Sequence, residues 1–243
     1  VHATRPTARR GSGGLPSLVW RVALRSWRRF FPASAGFEHW IWTDRNLTDC
    51  MAAEFPEHVN GFAMLPGAIE RSDVGRYCVL HRHGGIYADL DYEARDNFFA
   101  ELDLGGDVAC LVESPYKELA EEVQNSLMSS PPGHPLWRAA IDTVFQSGGL
   151  HRWSDMDGGT GPRMMSSLLS DTAEERRGRV VVLPCELYQR AVEPHTGPPR
   201  CGHVTDGSAA ANAQRGIHLG SMSHSSHMGL VLRERFFFEV HPE

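Results

Sequence analysis

The sequence predicts an α/β protein with a mostly parallel central sheet flanked by helices. Segments with the alternating pattern of strands are followed by segments with the three-to-four-residue period of amphipathic helices, an order typical of α/β sandwiches. The chain has 243 residues, 41% of them hydrophobic, which is enough for one sizeable core. We therefore expect a single domain over residues 1–243, with ligands bound beyond the carboxyl ends of the strands.

The first half of the chain opens with a helix. From Leu18 to Phe30, apolar residues recur at i, i+3, i+4 and i+7, and arginines occupy the other face. Thr43-Asp44 reads as a turn or helix cap, and Gly84-Gly85 ends a second long helix. The predicted elements are helices over 18–30, up to about 55 and from 67 to 83, and strands over 37–42 and 86–91.

The second half continues the alternation. Strands are predicted over 107–112 and 179–183, and helices over 135–145 and 161–169. Residues 195–216 are rich in Gly, Pro, Ala and Ser with little periodicity, so we expect a long flexible loop there. Residues 230–240 fit either a strand or a helix.

Charge is unevenly distributed along the chain. The formal net charge is −6, which disfavours a nucleic-acid binder. Residues 1–37, by contrast, contain seven arginines and no acidic residue. We expect a solvated basic helix face there, and the alternative is a surface for phosphate groups or anionic lipid.

The sequence contains no candidate membrane span or signal peptide. A membrane helix needs about 20 consecutive apolar residues, and no stretch approaches that length. Because the chain begins at Val1 rather than Met, we expect a domain truncated at its N-terminus, with any anchor upstream. The five cysteines are far apart without a C-x-x-C pattern, so at most two pairs can form.

The most specific chemical feature is the acidic end of the strand predicted over 86–91. Its period of two places Asp89 and Asp91 on one face. Two carboxylates about 5 Å apart repel by roughly 3 kcal/mol at an effective dielectric near 20, so the pair favours a bound cation. Mg²⁺ and Mn²⁺ accept carboxylate oxygen and keep positions open for phosphate. Asp73 and Arg76, one helical turn apart, would lie beside this pair.

Two other segments offer further ligands. His218, His224 and His227 could complete a metal site, because imidazole also binds Mn²⁺. Thr160-Gly161-Pro162 predicts a helix start whose free N–H groups could face phosphate or sugar hydroxyls. A polar loop and an ordinary helix cap remain the alternative explanations of these two segments.

The run RSDVGRYCVLHRHGGIYADLD, from Arg71 to Asp91, resembles the signature of the family 32 glycosyltransferases, which transfer sugars and carry a DXD motif. Shorter blocks resemble the family in the same order. They are Val1–Thr4, Ser26–Arg28, Trp42–Asp44, Asn125–Met128, Gly159–Pro162 and Ile217–His224.

The resemblance implies a GT-A-type, Rossmann-like nucleotide-diphospho-sugar transferase fold and a metal-dependent transfer of a hexose with retention of configuration. It implies catalytic roles for four residues, Asp73, Arg76, Asp89 and Asp91. The implied donor-binding residues are Tyr87, Asp73, Arg76, Thr160 and Gly161. The implied ligands of Mn²⁺ or Mg²⁺ are Asp89, Asp91, His218 and His224.

The partners implied by the resemblance are a nucleotide-sugar donor and a glycan or sphingolipid acceptor. GDP-mannose is the favoured donor, with a UDP-sugar possible. A eukaryotic relative would work on the lumenal side of the Golgi membrane behind an upstream anchor, whereas a bacterial one would be cytoplasmic.

Two other functions stay open at this stage. Ser223 stands where the family pattern has Trp, and Ala3 and Arg5 stand where it has Gln and Trp, so the chain could be a non-catalytic sugar-nucleotide-binding relative. Asp89-Leu90-Asp91 also resembles the start of haloacid-dehalogenase-type phosphatases. That reading is less favoured, because Tyr92-Glu93 follows the motif instead of Gly or Thr.

Overall fold

The computed structural model describes residues 2–5, 18–102, 106–115, 123–145, 159–189, 201, 214–218 and 229–234. The strands are β1 (His2–Arg5), β2 (Phe37–Thr43), β3 (Gly85–Asp89), β4 (Tyr92–Ala94), β5 (Val108–Glu113), β6 (Val123–Ser130), β7 (Arg179–Leu183), β8 (Gly216–His218) and β9 (Gly229–Glu234). The helices are α1 (Leu18–Phe30), α2 (Asp44–Glu54), α3 (Val59–Ala63), α4 (Ala68–His83), α5 (Pro135–Phe145), α6 (Pro162–Asp171), α7 (Glu174–Arg177) and α8 (Cys185–Tyr188).

The main sheet has seven strands in the order β1-β2-β9-β3-β6-β5-β7, and β4 and β8 form a separate two-stranded sheet. The α/β class is confirmed, and the sheet is mixed: five of its strands run in one direction and two run against them. Pairings β1–β2, β1–β3 and β5–β7 are parallel, whereas β6 and β9 run antiparallel to their neighbours. The connection from β5 to β6 is too short for a crossover helix, so these consecutive strands pair antiparallel.

Most predicted elements are found within a residue or two of their predicted ends. Helix α1 has the predicted bounds, and Thr43 caps α2 through a capping box with Asn46. Strand β3 differs, because it ends at Asp89, and Leu90-Asp91 form the turn into β4. The C-terminal segment is a strand in its described part, residues 229–234.

The loop predicted over 195–216 lies mostly outside the described residues. Of this range the structure describes Cys201 and residues 214–216, and Gly216 already belongs to β8. The prediction of a flexible loop therefore stays a prediction for the rest of the segment.

The sheet separates two clusters of buried side chains. One lies against α2, α4, α5 and α6 and includes Tyr77, which stacks on Trp137. The other lies against α1 and β4 and includes Trp27. Strand β3 contributes to both, because successive side chains point to opposite faces: Tyr87 packs into the first cluster and Ile86 into the second.

Two disulfides are present, Cys50–Cys78 between α2 and α4, and Cys185–Cys201. Of the helices in the described part of the chain, none combines the length and apolar character that crossing a membrane requires.

Candidate active site

A glycine turn joins α4 to β3 and brings their functional side chains together. Gly84 has a φ of 59°, a left-handed conformation that favours glycine, and a Cβ there would lie 2.5 Å from the backbone nitrogen of Pro132. Gly85 also has a positive φ, of 86°. The chain therefore reverses within two residues, and the face of α4 with Asp73 and Arg76 lies next to the end of β3.

The guanidinium of Arg76 is at the centre of the site. It is 1% exposed and forms ion pairs with Asp73 Oδ1 at 3.0 Å and Asp89 Oδ1 at 3.2 Å. It also donates to the backbone oxygen of Asn125 at 2.8 Å and lies over the ring of Tyr87, 4.8 Å from its centroid. One side chain thus joins α4, β3 and β6.

The charge of Arg76 is held in place by its neighbours. Burial alone would lower the pKa of this guanidinium. Tyr87, Asp89 and Asp73 outweigh burial and raise the pKa above its usual value. Arg76 is therefore a permanent buried cation whose charge is balanced by two carboxylates.

Asp73 accepts hydrogen bonds from three directions. Besides Arg76, its carboxylate accepts from Asn125 Nδ2 at 2.9 Å and from Thr160 Oγ1 at 2.9 Å. Tyr77, one turn further along α4, donates to the backbone oxygen of Thr160 at 2.7 Å. The carboxylate is consequently fixed in one orientation, with its burial compensated by these donors.

Tyr87 is a neutral donor in the site. Burial raises the pKa of its hydroxyl well above the ordinary value, so the proton is retained. The hydroxyl donates to Asp89 Oδ1 at 2.9 Å, and the ring supports the Arg76 guanidinium. Tyr87 therefore helps to orient Asp89, which lies two residues further along β3 on the same face.

A group of three possible metal ligands lies where β3, the following turn and β8 meet. His218 Nε2 is 3.1 Å from Asp91 Oδ1 and 3.6 Å from Asp89 Oδ2, and the ligand atoms of the three residues lie within 4.8 Å of one another. His218 lies opposite Tyr92 in the β4–β8 pairing. Its imidazole is therefore next to the Leu90-Asp91 turn that precedes β4. Burial alone would lower the pKa of the His218 imidazole. The carboxylates of Asp91 and Asp89 outweigh burial and raise this pKa to about 9.

The structure brings most of the predicted site residues together. Asp73, Arg76, Tyr87 and Asp89 form one network, Thr160 joins it through Asp73, and Asp91 adjoins it through His218. Gly161 is the N-cap of α6, immediately after Thr160. His224 lies outside the described residues, so its predicted role as a metal ligand stays a prediction.

Two residues of the network were not assigned a role from the sequence. Asn125 is 6% exposed and contacts both Asp73 and Arg76, and Tyr77 accepts from Asn125 Nδ2 at 3.4 Å besides donating to Thr160. Asn125 belongs to a block that resembles the family, which was the available signal. Tyr77 is a buried aromatic residue of α4 whose ring packs in the core against Trp137, and nothing in its local sequence distinguishes it from an ordinary core residue.

The arrangement suits a substrate that carries phosphate. An oxygen and nitrogen ligand set can hold a hard divalent cation, and a fixed carboxylate and guanidinium lie directly beside it. The N-terminus of α6, a position that favours negatively charged groups, lies next to Thr160.

Comparison with known proteins finds a family match in the first half of the chain. Residues 18–107 match the family described as "Glycosyltransferase sugar-binding region containing DXD motif", and this region contains α1 through β4 with the Asp89-Leu90-Asp91 motif. The resemblance predicted from the sequence is thereby confirmed over this region, which contains the DXD motif.

Individual relatives are similar over shorter or more divergent stretches. Inositol phosphoceramide mannosyltransferase 3 of Schizosaccharomyces pombe is 40% identical over 55 residues, 23% of this chain and 15% of that protein. Mannosyl phosphorylinositol ceramide synthase CSH1 of Saccharomyces cerevisiae is 29% identical over 149 residues, 58% of this chain and 38% of that protein. The chain therefore spans less than half the length of these two relatives. Among solved structures, the PaToxG glycosyltransferase is similar with a TM-score of 0.44 and 14% identity, over 70% of this chain and 67% of that chain.

Proposed function

We propose that this chain is the catalytic part of a metal-dependent, retaining mannosyltransferase that uses GDP-mannose, with a UDP-sugar as the second donor candidate. The observation that carries the proposal is the contact between two clusters. The buried Asp73–Arg76–Asp89 network shares Asp89 with the Asp89–Asp91–His218 ligand group. Such an arrangement holds a sugar and its diphosphate at adjoining positions.

The ligand group fits a divalent cation. Two carboxylates and one imidazole supply hard oxygen donors and a borderline nitrogen, a set that suits Mn²⁺ or Mg²⁺. His218 would bind through Nε2, the atom that faces both carboxylates. When bound, the ion supplies Lewis-acid stabilisation of the negative charge that develops on the diphosphate leaving group.

The chain's own residues would orient the donor. Asp73 and Arg76 are the proposed contacts of the sugar, and their ion pair fixes both groups before the donor arrives. Tyr87 would line the donor pocket, and its hydrogen bond to Asp89 would keep that carboxylate oriented toward the diphosphate. Thr160 and Gly161 supply a hydroxyl and the helix N-terminus on the far side of Asp73.

The proposed acceptor is a sphingolipid with an inositol phosphate headgroup, with a glycan as the other candidate. This part of the proposal rests on the names of the two yeast relatives, both of which refer to inositol-containing ceramide lipids. The two disulfides fit an oxidising compartment such as the lumen of the secretory pathway. We therefore propose that the protein works on the lumenal side of the Golgi membrane.

The test is a donor hydrolysis panel of GDP-mannose, UDP-glucose, UDP-galactose and UDP-N-acetylglucosamine, each with Mn²⁺, with Mg²⁺ or with EDTA. We expect hydrolysis of GDP-mannose that requires the metal. With a lipid acceptor added, proton NMR of the product should show an α-linkage.

Asp91→Asn removes one ligand charge with little change in volume, so we expect it to lose metal-dependent hydrolysis by at least two orders of magnitude, roughly 3 kcal/mol of transition-state stabilisation. The matched control is Asp49→Asn, the same change at an exposed helix position paired with Arg45. Full activity of Asp91→Asn would contradict the site.

Donor binding by the unmodified chain without hydrolysis or transfer would instead identify a non-catalytic sugar-nucleotide-binding protein, and hydrolysis of a generic phosphoester would identify a phosphatase.

A further inference from the structure

The outer face of α1 is a row of arginines. Arg21, Arg25, Arg28 and Arg29 are all exposed and recur at i, i+4, i+7 and i+8, so they share one face of the helix. The opposite face is buried through Ala23 and Trp27. The helix contains no acidic residue.

Most exposed arginines elsewhere in the described part of the chain form an ion pair, with Arg176 as an exception. Typical pairs there are Arg82 with Glu54, Arg138 with Glu57, and Arg179 with Asp107. Within the described residues, the α1 arginines have no carboxylate within ion-pair distance, and Arg29 lies over the ring of Phe30. An uncompensated row of cations on a protein with a net charge of −6 favours an external anionic partner.

The buried face of α1 contacts the segment that follows the DXD motif. Trp27 Nε1 donates to the backbone oxygen of Tyr92 at 2.7 Å, and Ser26 Oγ accepts from Ala94 N at 2.9 Å. The basic face therefore lies about one helix diameter, roughly 10 Å, from β4. A surface bound to this face would hold the candidate active site close to it.

We propose that the basic face of α1 docks on the surface of a bilayer that contains anionic phospholipid. The four arginines span nine residues of a helix, about 12 Å, a length that lies flat on a headgroup layer. Val22, 39% exposed beside them, adds an apolar contact. A long nucleic acid fits less well, because residues outside 1–37 hold 17 basic against 30 acidic side chains and would repel it. A bilayer bound at this face would bring a lipid acceptor close to the candidate active site. Membrane binding itself does not depend on the proposed function.

The experiment measures partition of the 243-residue chain onto vesicles by sedimentation, without donor or metal. One set of vesicles contains phosphatidylcholine alone and the other contains 30% phosphatidylserine. Each basic side chain near an anionic surface contributes roughly fivefold to the partition coefficient. We expect binding to the anionic vesicles, and a loss of more than about 100-fold on changing Arg21, Arg25, Arg28 and Arg29 to Gln.

The matched control changes Arg45, Arg82, Arg138 and Arg179 to Gln, which alters the net charge equally on other surfaces. We expect the control to bind anionic vesicles within threefold of the unmodified chain. An equal loss in the control would overturn the proposal, since overall charge would then explain binding. Equal binding to both kinds of vesicle, or displacement of the vesicles by single-stranded DNA at stoichiometric concentration, would also overturn it.

Two measurements guard against a folding artefact. The milder variant Arg25→Gln/Arg28→Gln should lose about 25-fold in partition while unfolding at the same urea concentration as the unmodified chain. The unmodified chain should dissociate from anionic vesicles as salt rises from 50 to 500 mM, because exposed charges are screened. Salt-insensitive binding would contradict the inference. Because neither measurement uses donor hydrolysis, a failure of the proposed transferase activity is seen separately.

Discussion

Arg76 both organises the candidate site and stabilises the packing around it. Its guanidinium is buried between Asp73 and Asp89. Its positive charge compensates part of the negative charge of these two carboxylates. Removing one partner of such a group leaves the other charges buried and uncompensated, which costs more than the ion pairs themselves contribute. A change at Arg76 is therefore expected to affect folding as well as donor use.

We predict that Arg76→Met lowers the free energy of unfolding by about 3 to 5 kcal/mol, as measured by urea unfolding at pH 7. The control is Arg82→Met on the same helix, where the partner is Glu54 at 3.6 Å and both side chains are partly exposed. Its cost should be below about 1 kcal/mol. Adding Asp73→Asn to Arg76→Met should recover part of the loss, because one buried charge is then removed. Equal destabilisation by Arg76→Met and Arg82→Met would contradict this account.

The motif made Asp73, Arg76, Tyr87 and Asp89 predictable as a group, since they lie on a helix and strand joined by a short turn. Asn125 could not be given a role in the same way. It meets Asp73 only because β6 pairs next to β3 at a particular register, and its separation of 52 residues from Asp73 carries no local pattern. Contacts of this kind depend on tertiary packing rather than on periodicity.

Among the elements, the small sheet of β4 and β8 connects the candidate metal ligands to an ionic cluster. His218 is at one end of the pairing, opposite Tyr92, and Gly216 is at the other, opposite Ala94. A side chain at Gly216 would collide with the ring of Tyr92. Arg215, just before β8, donates to Glu101 Oε1 at 2.9 Å and to Asp96 Oδ2 at 2.8 Å.

We predict that Arg215→Met weakens Mn²⁺ binding about tenfold, as measured by isothermal titration calorimetry, because β8 loses the contacts that fix its position relative to Asp91. The matched control is Arg179→Met, which removes an ion pair of 2.9 Å with Asp107 at the edge of the main sheet. Its Mn²⁺ affinity should be unchanged. If the two variants shift the dissociation constant equally, the ion pairs of Arg215 do not position the ligand.

Strand β6 shows why one central element was not predicted. Its sequence, VQNSLMSS, is buried along its whole length, yet it contains Gln124, Asn125 and three serines. Such residues usually indicate a loop or an exposed face. Here most of their side-chain polar atoms have partners in other elements, as when Ser126 Oγ donates to Gln189 Oε1 at 2.5 Å, although the Ser129 hydroxyl has none among the described residues. A strand that serves a polar site therefore lacks the apolar run expected of a buried strand.

At the scale of the whole molecule, the stability of the fold is coupled to pH through a histidine of β2 that contacts the residue just after α1. His39 Nε2 donates to the backbone oxygen of Phe31 at 2.7 Å, and Nδ1 is buried without a hydrogen-bond partner in the part of the chain that the structure describes. Burial lowers the pKa of His39 to about 4, although the Phe31 carbonyl opposes the shift and nearby Arg28 adds to it. A proton added at Nδ1 would find no acceptor.

The sign of the pH dependence follows from that shift. The unfolded chain, with a pKa near 6.5 at His39, binds more protons than the folded chain between pH 4 and 6.5. The contribution to stability is complete above pH 6.5 and is lost as the pH falls toward 4, by at most about 3 kcal/mol. Urea unfolding at pH 7.5, 6, 5 and 4.5 measures this slope. The variant His39→Gln keeps a donor for the Phe31 carbonyl but cannot be protonated. Its free energy of unfolding should therefore decline less steeply than that of the unmodified chain over the same pH range. Parallel curves for the two proteins would assign the acid sensitivity to other groups.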